Sequence, residues 1–594
     1  MTQPRAKRRP KEEKKLPDIV LRTIKVLNTI PEDRLAAMLV PRPDPQRYPT
    51  VQTRQGEDRR HASTDQQIRA LLMSPTFIEL ASQLPHNTLD VGKPGRPQDF
   101  PDYVLYAILM ASGVTPLGSV AAILNHLSDP PAWGRFIRLL EDITPTHWTR
   151  VSQMPHDEAA WARAQRPRVT AIGPKPKGTR ASDAIVKQHQ NGTTRMPKPW
   201  PTRAHVRYLE RRLTGWKIVD NQLVPLDQQD DYYDVDERLV ETFTPQAVLQ
   251  AQNMGRFDPD QPFQHKDPDL SQHVHSDGTV FKAPKDKRDV ANSSYDTHDE
   301  GGVPNKAYGT KFAILSTRIQ GQPHSRVICS FAHVGTDKLS AASQEAEACV
   351  GLVLELRDLS HGGVKGIIMD SALRGQGITG LQRQWITVTN YPHAEKNPNR
   401  SAGQRFSEGR VEKDHVAKVV EHYNNGVPCY HYLYWYCGIL LEKYVSSDGT
   451  PDVRHVEIPE YSARKNRGPH DPKNGIYAER REYFTVTINC TIENPVTTRV
   501  PLFHREAVEG VLEFNYGEYV RVFAPFSPQY IFLYACRNDT EARHAELKQR
   551  IKYMPRNVRG QRLRLLAAAL AMNAINWQYH LQAHGEPNIF DNTE

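Results

Sequence analysis

The order of segments between His273 and Pro392 is the feature that most narrows what this chain can fold into. HVHSDGTVFKA from His273, KFAILSTRI (Lys311 to Ile319) and RVICSFAHVG (Arg326 to Gly335) are β-rich runs separated by loops containing Gly, Pro and Asn. SQEAEACVGLVLELRDL follows with helical spacing and helix-forming residues. VKGIIMDSA (Val364 to Ala372) is then a short, nearly continuous apolar run ending in an aspartate, as expected of a strand buried in the middle of a sheet. A short helical stretch and WITVTNYP (Trp385 to Pro392) complete the series.

Three strands, a helix, a strand, a helix and a strand is the order of the RNase H-like α/β fold, in which the first and fourth strands are neighbours. Asp277 lies within the first strand and Asp370 at the end of the fourth, so their carboxylates are expected to meet. Aspartate is depleted in strands because a buried carboxylate is costly without a partner. Asp370 alone would be read as the cap of the next turn, but two such residues in this topology point to function.

A third carboxylate is expected from a helix after the sheet, in IFLYACRNDTEARHAELKQRIKYMP. Tyr534, Arg537, Glu541 and Lys548 stand there in the spacing Y-x2-R-x3-E-x6-K. On one continuous helix, all three partners fall within roughly 40° of Glu541 around the axis. Glu546 is five residues on and falls on a nearly opposite face, where a surface salt bridge is its simpler role. The bland alternative for the strip is a solvated face with i,i+4 pairing.

At 594 residues the chain exceeds one ordinary core, and two to four domains are expected. It has no run of about 18 apolar residues and no signal-peptide core, so it is expected to stay in the cytosol without a membrane partner. Six cysteines without a CxxC pair argue against a disulfide framework or a zinc ribbon. The net charge of +9 gathers in three clusters: the opening arm (Arg5 to Lys15), the stretch from Arg163 to Arg180, and Arg543, Lys548, Arg550, Lys552, Arg556, Arg559, Arg562 and Arg564. Charge runs are often solvated faces, but three clusters favour a polyanion such as DNA.

Toward the N-terminus, FPDYVLYAILMASG, TPLGSVAAILNHL and PPAWGRFIRLLED read as three helices with Pro101, Pro116 and Pro131 near their starts. They suit a helix-turn-helix unit as well as any small bundle. The domain reading is a basic, partly disordered arm (1–60), a helical DNA-binding domain (61–150), a connector (151–265), the first part of an RNase H-like core (266–400), a β-rich insertion domain (401–525) and the C-terminal helical part of the core (526–594).

With these residues in view, the chain resembles the cut-and-paste DDE transposases of bacterial insertion sequences, in the group whose glutamate region carries Y-x2-R-x3-E-x6-K. SDGTVFKAP and GIIMDSALRG resemble the family's two aspartate regions, and NKAYGTKFAIL its second strand. The resemblance runs from about His273 to His580. The family places a β-rich insertion between the second aspartate and the glutamate, and CYHYLYWYCGILLEKYV, VRHVEIP and EYFTVTINCTI alternate like strands in that interval.

The resemblance implies double-stranded DNA, both transposon ends and target, as partner, a homodimer assembled on it, and a bacterial cytoplasmic, nucleoid-associated location. It also implies two Mg²⁺ or Mn²⁺ ions per active site, which carboxylates suit as hard oxygen donors. Asp277 is expected to bridge both ions while Asp370 and Glu541 each hold one, with Arg537, Lys548 and Tyr534 on phosphates. Rival readings are a catalytically silent transposase-derived DNA-binding protein and an RNase H-like structure-specific nuclease that does not join DNA.

Three other constellations are weighed. HVH (His273 to His275) formally matches the histidine pair of tyrosine nucleases, but ordinary strand histidines are the favoured reading. His422, Cys429, His431 and Cys437 match no common zinc spacing and are read as core thiols and sheet-surface histidines. The run Tyr430, Tyr432, Tyr434, Trp435 and Tyr436 is read as a packed sheet face, with base stacking as the lesser alternative.

Overall fold

The computed structural model describes residues 17–38, 62–85, 100–143, 201–263, 268–282, 293–298, 304–335, 341–390, 414–456, 460–465, 480–490, 495–501, 522–523 and 528–590, with isolated exceptions inside these ranges. The opening arm to residue 16 and the Arg163 to Arg180 cluster lie outside them. The chain is a mixture of helices and several sheets, and it divides into two compact units.

The first, a sheet–helix unit, comprises residues 51–262, 270–368 and 536–594. A small hairpin of β1 (Trp216–Val219) and β2 (Gln222–Pro225) stands apart from its main sheet. In that sheet β3 (His273–Lys282) pairs antiparallel with β5 (Pro304–Thr317), from His275 opposite Ser316 to Lys282 opposite Gly309. The other edge of β5 is shared by β4 (Ser293–His298) and β6 (Val327–His333), one on each half of its length. β7 (Gly366–Ile368) lies on the free side of β3 and runs parallel to it, His275 opposite Ile368. A parallel neighbour needs a crossover, and the helix Ala341–Leu359 supplies it. β4 is polar, SSYDTH, and is absent from the sequence expectation.

Alternation along β3 sends its residues to two helices. Ser276 donates to the Cys349 thiol at 3.0 Å on the crossover helix, and a Cβ on Gly278 would meet Glu345 of that helix at 2.3 Å. His275 and Asp277 face the helix Asn538–Arg550 instead. The outer edge of β6 is covered by the helix Val558–Ala583. Asn573 accepts from Ile328 N–H at 2.8 Å and donates to Ile328 C=O at 2.9 Å, and Asn576 donates to Arg326 C=O at 2.6 Å. These side chains take the place of a further strand on an edge that would otherwise be open.

The expected helices in 100–143 are present as Asp102–Ala111, Val120–His126 and Pro130–Ile143, preceded by Thr64–Leu72 and Pro75–Ser82. They belong to the same compact unit as the sheet. Every residue of Asp102–Ala111 is buried. Gly113 at its end lies so close to Val558–Ala583 that a Cβ would reach the Ala567 carbonyl oxygen at 2.2 Å. Asp102 is buried and held by Arg212 at 3.2 Å and by the Tyr232 hydroxyl.

Within 151–265 the described residues include two helices. Arg203–Leu213 is a packed helix, and Val235–Asn253 is a 19-residue helix whose Phe243 and Thr244 meet Phe331 and Ser330 on β6. Pro245 inside that helix and a polar composition hid it from pattern reading.

The second, two-sheet unit comprises residues 1–50, 263–269 and 369–535. It holds the helix Gln376–Arg383, β8 (Thr387–Thr389) and two antiparallel sheets. One sheet is ordered β12 (Pro451–His455), β11 (Ile439–Val445), β10 (Val427–Tyr436), β9 (Asp414–Asn424), and the other β13 (Glu460–Lys465), β14 (Arg480–Ile488), β15 (Val496–Pro501). Val420, Leu433, Trp435 and Leu440 of the first sheet share a core with Phe484, Val486, Ile488 and Val500 of the second.

The opposite face of β10 carries Tyr432 and Tyr434, which pack on Val20 and Leu27 of the helix Asp18–Leu27. The aromatic run is thus split between two packed faces, and this part of the arm is a docked helix. Among the described residues no helix is long and apolar enough to cross a membrane.

Candidate active site

Asp277 is 8% exposed in the middle of β3. Its Oδ1 accepts from the Gly278 N–H at 2.8 Å, and its Oδ2 accepts from the Thr540 hydroxyl at 3.3 Å on the helix Asn538–Arg550. Three residues further along that helix, fully buried Arg543 donates to His275 C=O at 3.2 Å, Ile314 C=O at 2.9 Å and Ser316 Oγ at 2.9 Å. Arg543 therefore locks the helix onto β3 and β5. Burial pulls its guanidinium down to about 10, against the opposing charge of Asp277, and leaves it a cation at neutral pH.

Glu541 follows Thr540 directly. Its side chain is 66% exposed and pairs with Arg537 at 3.5 Å. Lys548, two turns on, is also exposed. Glu541 and Lys548 thus share the helix that Arg537 precedes, but Tyr534 does not. It belongs to a separate helix, Pro528–Ala535, in the other unit, where it stacks on Tyr530 with ring centroids 5.3 Å apart.

Between the two helices, Asp539 N–H bonds to Cys536 C=O at 3.0 Å and Thr540 N–H to Arg537 C=O at 2.9 Å. These i→i−3 bonds tighten the turn, so a phase of 100° per residue does not carry from Tyr534 to Glu541.

Asp539 is the acidic residue of this helix that is buried. Arg326 holds it at 2.6 Å and Arg318 also bonds it. Burial pushes its carboxyl up, yet the hydrogen bonds and charge of Arg326, with His275 and Arg318, prevail and hold it well below its ordinary value. This carboxylate is a structural anchor. Glu546 is bonded to Arg326 and Arg550, each at 3.0 Å, as expected of a salt-bridging residue.

Asp370 comes two residues after the end of β7 and belongs to the two-sheet unit. Its Oδ1 accepts from the Ala372 N–H at 2.8 Å, the turn-capping bond expected at a strand end. His273 and His275 are both buried, and burial holds His275 down to about 3 as a neutral ring. A buried pair on one strand face fits the reading as strand histidines.

The third basic cluster is not an open cationic face. Arg543 and Arg550 are buried, Arg559 and Arg562 pair with Asp236, and Arg564 pairs with Glu210 at 2.6 Å. Arg559, Arg562 and Arg564 therefore brace Val558–Ala583 against its neighbours, and Lys548 and Lys552 are exposed. The zinc constellation also changes. His422, Cys429 and His431 converge with Cys490, while Cys437 lies outside the described residues. Comparison with known proteins finds no family model that matches the chain and no curated protein similar enough to count as a relative.

Proposed function

We propose that the chain is a DDE transposase that cleaves DNA at transposon ends and joins the released ends to target DNA, on an RNase H-like core. The observation that carries this reading is the setting of Asp277. It lies on a strand antiparallel to β5 and parallel to β7, the chain leaving β7 reaches Asp370 two residues later, and Thr540, beside Glu541, bonds to the Asp277 carboxylate. This setting supports the reading that Asp277, Asp370 and Glu541 act together.

The donor set is entirely carboxylate oxygen, which suits Mg²⁺ or Mn²⁺ and not a soft metal. When bound, two such ions supply an activated water or hydroxyl and stabilise the leaving oxygen of an in-line displacement. The chain's own residues set the stage. Arg543 fixes the helix to the sheet, Thr540 orients Asp277, exposed Glu541 is available to a ligand entering from solvent, and Arg537 and Lys548 attract phosphate. Tyr534 contacts DNA from its own helix. Double-stranded DNA is the partner, a homodimer forms on it, and the protein works in the bacterial cytoplasm at the nucleoid.

The test is a plasmid carrying a marker between the two DNA segments that flank the coding sequence, incubated with protein and Mg²⁺ or Mn²⁺. Excised marker with free 3′-hydroxyls, together with products joined to a second plasmid, is expected. Cleavage without joining would replace the transposase reading by the simple nuclease. Binding without cleavage under either metal would replace it by the silent DNA-binding protein.

A further inference from the structure

The strongest unassigned chemistry lies in the two-sheet unit. The β9–β10 ladder places Cys429 directly opposite His422, and His431 two residues along the same face of β10. Cys490, 61 residues from Cys429, arrives from the second sheet just past the end of β14. One ligand atom from each of these four residues lies within 4.8 Å of every other.

The separations have a recognisable pattern. His422 Nε2 and His431 Nε2 are 3.2 Å apart, Cys490 Sγ is 3.4 Å from His422 Nε2, Cys429 Sγ is 3.7 Å from His431 Nε2, and the two sulfurs are 3.9 Å apart. A tetrahedral zinc with ordinary Zn–N and Zn–S bonds requires about 3.3 Å between nitrogens, about 3.5 Å between nitrogen and sulfur, and about 3.8 Å between sulfurs. The observed values follow the same order and lie close to each.

A second observation comes from the far side of His431. Its Nδ1 is 2.7 Å from Glu442, a carboxylate 2% exposed, and Arg454 grips the other oxygen of Glu442 at 2.7 Å. A carboxylate on Nδ1 fixes the tautomer that leaves the Nε2 lone pair facing the other three ligands, the usual support of a metal-bound histidine. Arg454 also donates to Asn489 C=O at 2.5 Å, next to Cys490, so one cation braces both the histidine and the loop of the fourth ligand.

We propose that His422, Cys429, His431 and Cys490 bind one structural zinc ion that fastens the two sheets of this unit to each other. Two thiolates and two imidazoles form a closed N/S set with no position left for substrate. The ion is separate from the oxygen-donor chemistry proposed for Asp277, and its role is independent of whether the chain cuts DNA. Coordination displaces the thiol protons of Cys429 and Cys490 to solvent and changes no oxidation state.

Elemental analysis of the full chain, purified without chelator, is expected to give one zinc per chain. Replacement by Co²⁺ should produce thiolate-to-metal charge-transfer bands and the intense visible bands of a tetrahedral site, a readout that needs no variant. A Cys429→Ser/Cys490→Ser double variant should lose the metal, and Cys536→Ser should keep it. Glu442→Gln should weaken zinc affinity by roughly 10–100-fold at unchanged stoichiometry. Metal-free wild-type protein after zinc reconstitution, a Cys429–Cys490 disulfide in peptide mapping, iron or copper in place of zinc, or full zinc retention by the double variant would each overturn the proposal.

Discussion

Asp539, Thr540 and Glu541 are consecutive, yet each has a different task. Asp539 is buried between Arg318 and Arg326, Thr540 is bonded to Asp277, and Glu541 is open to solvent. Asp539→Asn should therefore cost about 3–5 kcal/mol in a denaturant titration, because it leaves buried arginines without their counter-charge. Glu541→Gln should leave the melting temperature unchanged and abolish cleavage, as should Asp277→Asn and Asp370→Asn, with DNA-end binding retained in all three. Robust cleavage by one of these variants removes that residue from the metal site, and loss of cleavage in Glu546→Gln would show that the wrong glutamate was chosen. His544 gives a test by pH. Burial first, then the charges of Arg543 and other cations, lower it to about 2, and its Nε2 accepts from Arg543 Nη2 at 2.7 Å. The unfolded chain takes up a proton near pH 6.5 that the folded one refuses, so stability falls as pH drops below that value. Between pH 6.5 and 5.5 the wild type should lose about 1 kcal/mol more than His544→Gln. Equal slopes for the two proteins would show that His544 titrates freely in the fold.

Among elements, the strands carrying Asp277 and leading to Asp370 were legible because Val, Ile and Phe recur at strand spacing between turn residues. β4 was not, since SSYDTH has no apolar alternation and pairs only with the far half of β5. Spacing also could not find Cys490, which the pairing of distant strands brings to His422. Nor could it show that the arginines after Glu541 face acidic partners more than 300 residues away, as Arg559 faces Asp236. The edge cover on β6 is likewise a long-range device. Asn573→Leu keeps the volume near constant but leaves the N–H and C=O of Ile328 buried without their side-chain partners. Each orphaned group costs about 1–3 kcal/mol, so a loss of about 2–6 kcal/mol is expected in denaturant unfolding. A loss below 1 kcal/mol would mean that the edge finds other partners.

For the whole molecule, the placement of the N-terminal helices decides which truncations are informative. Thr64–Leu72 and Asp102–Ala111 lie against Val558–Ala583, and Arg550 donates to Gly113 C=O at 3.3 Å. Deleting residues 1–150 would strip apolar cover from the longest helix of the sheet–helix unit, so it should yield unfolded or aggregated protein and not an isolated catalytic domain. Deleting residues 1–16 instead removes Arg5, Lys7, Arg8, Arg9, Lys11, Lys14 and Lys15 and ends before the docked helix Asp18–Leu27. Its melting temperature should match the wild type. Because the cations after Glu541 are largely spent on internal ion pairs, the arm and the Arg163 to Arg180 stretch are left as the main sequence clusters for phosphate contact. Loss of the arm should then lower the slope of log affinity against log salt by up to about 6, at roughly 0.9 per phosphate contact. An unchanged slope would place those contacts on the folded units. Sizing of cleaved complexes carries the argument to assembly: joining two ends requires two chains on two duplexes, so a single chain per cleaved end at every protein concentration would leave hydrolysis without joining as the chemistry of this fold.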